Sequence, residues 1–321
     1  MQLFPYPKEP ADTNEALSAL AEKFADLDPR YINLHMRDDW NVAKEFFERT
    51  WNDYESFADD NFASELQTKF SERAWEIFLF DLLRMSGLQP TLQSRDMPNP
   101  DFKIDLGERN LFVEAVNAGQ GKDHNRVETI SDLLAHAPPG EVVGLTRSFD
   151  QGNHPKVRRI TSSLKEKMQN YTATHKSVIS DDDCYVIALN AGDIEGNMAS
   201  SPEALILEAV KGIDPAIHIP RKGDGFGPAF HTTRFSIPNS RSTGVIDLDM
   251  FSEIEFKEIS GVIYFGRDVI NALLQDIQPS EAIFVHNPNV LEGKALPMDV
   301  FSHFTQITIS PTEWTRHAAK I

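Results

Sequence analysis

The sequence predicts an α/β protein with a mixed central sheet flanked by helices, an added helical N-terminal layer and an α/β C-terminal extension. Two observations lead to this fold class. Segments with apolar residues at helical spacing occur before and between short apolar runs of strand length. Strands that are apolar along their whole length are typical of a sheet covered by helices on both faces. The runs are LFVEAV at 111–116, CYVIALN at 184–190, GVIYFG at 261–266 and AIFVHNP at 282–288.

The first predicted elements are helical. Residues 14–60 are acidic and rich in helix formers, and their aromatic residues have amphipathic spacing, which predicts a helical layer over 1–62. A better-defined helix is predicted from about 65 to 86. Ser64, with Gln67 three residues later, resembles a capping box at its start, and Gly87 supplies a stop.

A β-hairpin follows, since residues 102–106 alternate apolar and polar, 107–110 are turn-like and 111–116 are apolar. The remaining elements are a helix over about 155–172, the strand at 184–190, the strand at 261–266, a helix over 268–275 and the strand at 282–288. We expect 63–215 to form the core of the protein and 216–321 to form the C-terminal extension.

Composition limits the class of protein. The chain has 321 residues, 40% of them hydrophobic, which is enough for one elaborated domain or two. The single cysteine, Cys184, excludes an internal disulfide framework and a cysteine-based zinc site and indicates a reducing compartment. No segment resembles an export signal or reaches 18 uninterrupted apolar residues. We therefore expect a soluble, cytoplasmic protein without a membrane partner.

Three carboxylates lie within apolar runs, where an unpaired charge costs several kcal/mol. Glu114 interrupts LFVEAV, Asp101 begins the preceding strand, and Glu76 shares its helix face with apolar residues three, four and seven positions on. Each also has a structural interpretation. Glu114 could form a buried salt bridge, Asp101 could serve a turn, and Glu76 could pair with Arg73.

Two of these carboxylates suit a metal ion. Adjacent antiparallel strands can bring Asp101 and Glu114 together, and with the carbonyl of Ala115 they form the oxygen-rich set that Mg²⁺ or Mn²⁺ prefers. Such an ion can activate water and neutralise charge on a phosphodiester during its hydrolysis.

The ordered set of elements resembles the PD-(D/E)XK superfamily, the fold of many restriction endonucleases. It comprises a helix with Glu76, Asp101 in NPDFKID, Glu114 in VEAVN, a basic helix and a buried strand, within about residues 70–190. The resemblance implies a restriction endonuclease-like core in which Asp101 and Glu114 bind the metal and Glu76 supports them. It also implies nucleic acid, DNA before RNA, as the partner, and a homodimer, as in many nucleases of this fold.

The lysine of that motif is missing, because Val116 stands two residues after Glu114. Some superfamily members carry the lysine on the following helix, and Lys167 lies there on the inward apolar stripe. Its side chain could extend past the core to solvent, or its ammonium could approach the carboxylates of Asp101 and Glu114. Lys103 and Lys122 are weaker substitutes.

A net charge of −18 argues against indiscriminate nucleic-acid binding, so a polyanion site must be local. Residues 151–176 contain six lysine and arginine residues against the single acid Glu166. This segment is either an ordinary solvated helix face or a surface that steers phosphates. For the second reading, the candidate substrate-binding residues are Arg158, Arg159, Lys165 and Gln169.

Two functions stay open. One is a metal-dependent nuclease with Glu76, Asp101, Glu114 and Lys167 as its catalytic set. The other is an inactive nuclease fold that binds nucleic acid or protein, with its carboxylates in structural ion pairs. No GxSxG elbow, P-loop, HExxH motif or dinucleotide fingerprint supports another class of enzyme. Two further segments could line a groove or serve only as loops: His286–Pro288, and Arg221 with Lys222.

Overall fold

The computed structural model describes residues 3–4, 24–91, 93, 99–121, 127, 154–194, 201–213, 217–221, 225–230, 233–238, 245–276, 278–310 and 314–320. Residues 154, 217–221, 225–230 and 238 are described by their backbone. The candidate residues Lys122 and Lys222 lie outside the described residues, and the side chain of Arg221 is likewise outside them.

One eight-stranded mixed sheet organises the fold, in the order β1-β2-β3-β4-β9-β10-β11-β12. Its strands are β1 (Pro90–Thr91), β2 (Phe102–Asp105), β3 (Asn110–Asn117), β4 (Cys184–Asn190), β9 (Gly261–Phe265), β10 (Ile283–His286), β11 (Thr305–Ile309) and β12 (Trp314–His317). Two small antiparallel pairs lie outside this sheet: β5 (Ile217–Arg221) with β6 (Gly225–Phe230), and β7 (Ser236–Pro238) with β8 (Val245–Asp247).

The described α-helices are α1 (Pro29–Met36), α2 (Asn41–Tyr54), α3 (Phe62–Thr68), α4 (Phe70–Met85), α5 (His154–Ala173), α6 (Pro202–Lys211) and α7 (Val269–Leu274). Local sequence sets their ends. In α6, the Ser201 side chain accepts a hydrogen bond from the amide of Ala204, Pro202 occupies the first turn, and Gly212 ends the helix at φ +65°.

The strands at the centre of the sheet separate the core into two halves. In β3, Val113 packs among α1 to α4 on one face, while Phe112 packs against α5 and α6 on the other. The same alternation continues in β4, where Val186 and Tyr185 belong to opposite halves. The protein is therefore a sheet with helices on both faces, which confirms the predicted mixed α/β class.

The predicted β-hairpin is present. β2 and β3 are antiparallel, with Phe102 opposite Val113 and Asp105 opposite Asn110. The chain then passes through α5 and returns as β4, which lies parallel to β3 and pairs along seven residues. β4 in turn is parallel to β9, so strands from the predicted C-terminal extension continue the same sheet.

The single helix predicted over 65–86 is wrong in two details. The segment forms α3 and α4, separated at Lys69, whose backbone is non-helical at φ −126° and ψ 49°. The capping box is also wrong, because α3 already begins at Phe62. Ser64 therefore lies inside the helix, and its hydroxyl donates to the carbonyl of Asn61 at 2.7 Å.

The segment at His286–Pro288 holds loops together rather than lining the cavity described below. Asn287 is buried, and its amide donates to the carbonyls of Phe256 and Ile259 at 2.7 and 3.0 Å. His286 contacts the side chain of Gln306 at 2.8 Å. Among the helices of the described ranges, none combines the length and apolarity that crossing a bilayer requires.

Candidate active site

A cavity of about 680 Å³ lies at the carboxyl end of β3, between α4 and α5. Helix α4 contributes one wall, β3 and the loop after it form the floor, and α5 contributes the other wall. The residues around it are Glu72, Trp75, Glu76, Ala115, Val116, Asn117, Gly119, Gln120, Gly121, Arg159, Ser163, Glu166 and Lys167.

Lys167 lines this cavity and binds Glu114, which is buried beside the cavity and, like Asp101, is not itself a lining residue. Its ammonium donates to Glu114 Oε1 at 2.6 Å, and the Glu114 side chain is only 8% exposed. Side-chain alternation along β3 explains the meeting, because Glu114 and Val116 both point towards the face that α5 covers. Val116, two residues after Glu114, is apolar, and the lysine that binds Glu114 comes from α5.

Asp101 is tied to the same strand by its side chain. It lies just before β2, and its Oδ2 accepts a hydrogen bond from the amide of Ala115 at 2.7 Å. The carboxylate thus extends the pairing of β2 and β3 by one position beyond Phe102. Asp101 and Glu114 are consequently anchored at adjacent points of one strand.

Glu76 approaches from α4. Its carboxylate accepts from Arg73 at 3.0 Å and from the hydroxyl of Tyr54 at 3.1 Å. Arg73 also pairs with Asp59 at 2.9 Å and with Glu65, so its charge is shared among three acids. Tyr54 is held among aromatic rings, namely Phe57, Phe62, Phe80 and Phe102.

Acidic side chains outnumber basic ones at the site, and burial together with their proximity raises the pKa values of the acids. Burial, followed by the charge of Asp101, raises the pKa of Glu76 to about 8. Partial desolvation, followed by the charge of Glu114, raises the pKa of Asp101. Asp101 is exposed on one side, so solvent screening moderates this rise. Burial raises the pKa of Glu114 despite the neighbouring Lys167. Burial lowers the pKa of Lys167, but the charges of Glu114 and Asp101 outweigh it, and the net shift is upward. Three carboxylates thus share one lysine and part of one arginine.

The donor set of this site suits a hard cation that keeps part of its water shell. No group of three or more His, Cys, Asp or Glu side chains within the described ranges is arranged to hold a metal ion. Mg²⁺, however, is typically held by one or two carboxylates, with waters and substrate phosphates completing its octahedron. Asp101, Glu114 and the carbonyl of Ala115 supply the kinds of oxygen ligand that this smaller requirement needs.

Comparisons with family models, with curated proteins and with solved structures gave no match. The case for a function therefore depends on this geometry.

The predicted substrate-binding residues separate into two groups. Arg159 lines the cavity, and its Nε donates to the carbonyl of Gly119 at 2.8 Å. Arg158, Lys165 and Gln169 do not line it, because they lie on other faces of α5. Lys165 instead pairs with Glu253 at 2.7 Å. The role of these three residues in substrate binding stays a prediction.

The weaker lysine candidate on β2, Lys103, pairs with Phe112 in the sheet. The ammonium of Lys103 lies 5.9 Å from the centroid of the Phe112 ring. Lys167 is therefore the lysine that the described structure brings to Glu114.

Several site residues were missed by sequence reasoning. Tyr54 comes from α2, and Asn117 at the cavity floor donates to Asp193 at 2.8 Å. His175 Nδ1 lies 3.9 Å from Glu114 Oε2, the oxygen that Lys167 does not bind. No local pattern marks Tyr54 or His175, since each meets the site through tertiary packing. Asn117 carried the one usable signal, because it is an asparagine at the carboxyl end of a predicted buried strand.

Proposed function

We propose that the protein is a metal-dependent nuclease that hydrolyses phosphodiester bonds in DNA, with RNA as the second polymer to test. The observation that carries the proposal is the 2.6 Å contact between Lys167 and Glu114 at the wall of a cavity. The Asp101 carboxylate accepts a hydrogen bond from the amide of Ala115, the residue after Glu114. An acid pair and a lysine side by side are what the PD-(D/E)XK motif requires, and the order helix, hairpin, helix, parallel strand agrees with the resemblance.

Each residue has a distinct role in this proposal. Asp101 and Glu114, with the carbonyl of Ala115, would hold Mg²⁺ or Mn²⁺, which when bound supplies charge neutralisation and an acidified water. Lys167 orients the attacking water from the wall opposite β3 and offsets negative charge at the reacting phosphate. Glu76, fixed by Arg73 and Tyr54, keeps the acid pair in place.

Arg159 is the substrate-binding residue of the proposal. It lines the same cavity as Lys167 and is one of the two cations among the described lining residues. A guanidinium can hold a phosphate by two parallel hydrogen bonds, which fixes the polymer backbone against the acid pair.

The test is cleavage of supercoiled plasmid and of structured RNA with Mg²⁺ or Mn²⁺. Asp101→Asn and Glu114→Gln keep the shape of each side chain and remove its charge, so we expect loss of cutting by 100-fold or more, on the order of the effect of a removed catalytic group. Asp105→Asn, an exposed acid at the far end of β2, is the matched control and should cut like wild type. Wild-type cutting by both site variants would refute the proposal.

The second candidate is an inactive nuclease fold that binds nucleic acid or protein. The same contact favours it, because a buried ion pair can be purely structural. The two functions differ in what Lys167→Met does. As a structural pair, its loss should cost roughly 3–5 kcal/mol of stability. As a catalytic lysine, its loss should abolish cutting with a much smaller effect on the free energy of unfolding.

The cytoplasmic location and the homodimer also remain proposals. The homodimer is tested by measuring the mass of the protein in solution, with and without a short DNA duplex. A single protomer mass in both conditions would remove the dimer from the account and leave the site unchanged.

A further inference from the structure

Behind Glu114, two buried polar atoms of the described residues have no hydrogen-bond partner. They are Nδ1 of His175 and the hydroxyl oxygen of Tyr185. His175 lies in the single helical turn His175–Ser177 that follows α5, and Tyr185 lies on β4. The two ring centroids are 6.3 Å apart, and Tyr185 is fully buried.

Buried polar atoms without a hydrogen bond need an explanation, because burial removes their hydrogen bonds to water and no protein partner replaces them. Packing alone would be served by phenylalanine in place of Tyr185, whose ring already lies 4.5 Å from that of Tyr171. The charges of Glu114 and Asp101 both act on the Tyr185 hydroxyl and, after burial, raise its pKa. Phe112 lies opposite Tyr185 in the pairing of β3 and β4, and Glu114 is two residues after Phe112, so the side chains of Tyr185 and Glu114 leave the sheet on the same face.

Glu114 stands between two sets of partners. Its Oε1 is bound by Lys167, which lines the cavity. Its Oε2 is 3.9 Å from His175 Nδ1, about 1 Å beyond hydrogen-bond length, so a small rotation of either side chain closes the contact. His175 is absent from the cavity lining. Lys167 and His175 thus approach different oxygens of one carboxylate.

We propose that His175 and Tyr185 are positioning residues that form a second set of partners for Glu114, engaged when Lys167 turns from Glu114 towards the reacting water or phosphate. This inference rests on the proposed nuclease function. Glu114 would otherwise lose its bound partner at the moment when Lys167 acts. With the second set engaged, Glu114 keeps its orientation, and Lys167 is free to contact substrate.

The first test needs no activity. The free energy of unfolding is measured at pH 8 for Lys167→Met, for His175→Phe and for the variant that carries both. A second pair replaces His175→Phe by the milder Tyr185→Phe. In each pair we expect the double variant to lose more stability than the sum of the two single losses, since each set of partners can replace the other. Additive losses in both pairs would overturn the inference. Tyr264→Phe, a buried tyrosine on β9 near Glu203, is the control and should be additive with Lys167→Met.

The second test is kinetic. We expect His175→Phe to lower kcat by about 10-fold to 100-fold with little change in KM, as other side chains that orient a metal ligand do. His175→Asn, which keeps a side-chain N–H near the Nδ1 position, should restore most of the rate. Wild-type kcat in His175→Phe would overturn the inference. A wild-type protein that cuts nothing would instead refute the proposed function, and the unfolding experiment would still decide the inference.

Discussion

Glu114 is the residue on which the candidate site depends, because it places a charge inside a strand that is otherwise apolar. Its side chain is 8% exposed and is bound by a lysine from a helix 53 residues later in the chain. Lys167 is itself partly accessible from the cavity, with 23% of its side chain exposed. A buried acid beside a reachable lysine is the arrangement from which the residue-scale predictions follow.

Replacement of Lys167 by methionine should separate catalysis from stability. We expect cutting to fall by 100-fold or more. We expect the free energy of unfolding to fall by about 1 kcal/mol, below the roughly 3–5 kcal/mol of an orphaned buried charge, because His175 and Tyr185 can take over. Lys165→Met is the matched control on the same helix and should cut normally. Urea unfolding and plasmid cleavage measure the two effects, and a large stability loss with no activity in wild type would favour the binding module.

Stability should fall as pH rises through the range where Glu76 titrates. Burial and the charge of Asp101 raise the pKa of Glu76 to about 8 from its ordinary value of 4.5. The native state therefore binds the proton more tightly than the unfolded state, and the stabilisation is complete below pH 4.5 and lost towards pH 8. Glu76→Gln should reduce the loss of stability between pH 4.5 and pH 8.5 by on the order of 1–3 kcal/mol. Urea unfolding at pH 4.5 and pH 8.5 measures it, and an unchanged difference in Glu76→Gln would contradict the assignment.

Sequence reasoning found the acids of the site more readily than their surroundings. Glu76, Asp101, Glu114 and Lys167 were recognisable because a charge in an apolar pattern is visible locally. Tyr54 and His175 were not, since their neighbours are ordinary for an exposed helix or a turn. Composition did not separate Arg159, which lines the cavity, from Arg158, Lys165 and Gln169, which do not, because basic and polar composition does not specify which face of a helix meets a cavity.

At the scale of elements, the hairpin β2–β3 and the helix α5 were predictable from period and length. The break between α3 and α4 was not. Lys69 at the break is a good helix former by propensity, and the change of direction is instead associated with packing of Phe62 and Phe70 into the core. Tertiary packing therefore overrode a local preference at this point.

Glu258 pairs with cations beyond the C-terminal end of α5, and replacement of Glu258 should loosen that end. Lys294, whose side chain is 4% exposed, lies 3.2 Å from Glu258, and Lys176 beyond the end of α5 lies 2.7 Å from it. Glu258→Ala leaves Lys294 buried without its partner, so we expect a loss of roughly 3–5 kcal/mol in the free energy of unfolding. Lys176→Met, which removes the more exposed cation, should cost less than about 1 kcal/mol. Equal losses in thermal or urea unfolding would show that burial of Lys294 is not the cause.

At the scale of the whole molecule, the sheet joins the predicted core and the predicted C-terminal extension. β4 pairs with β9 along five residues, Val186 to Asn190. A chain that ends at residue 215 would leave this edge of a buried strand unpaired. We expect such a fragment to aggregate or to lack a cooperative unfolding transition in circular dichroism. A soluble fragment with a sharp transition would show that residues 216–321 are a separate unit.

The acidic net charge of −18 predicts a shallow dependence of DNA binding on salt. Arg159 and Lys167 are the cations among the described lining residues, which corresponds to about two phosphate contacts. The slope of log K against log salt should then be about −2. Fluorescence anisotropy of a labelled oligonucleotide measures this slope between roughly 50 and 200 mM salt. The Asp101→Asn variant is used so that the oligonucleotide is not cut. A slope of about −5 or steeper would require a basic track outside this cavity.

The measurement that tests the central claim most directly is metal-dependent cleavage of supercoiled plasmid by wild type, Lys167→Met and Lys165→Met, with a chelator as the blank. The account predicts cutting by wild type and Lys165→Met in Mg²⁺ or Mn²⁺, loss of cutting in Lys167→Met, and none in the chelator. Cutting by Lys167→Met at the wild-type rate, or no cutting by wild type with any divalent metal, would contradict it.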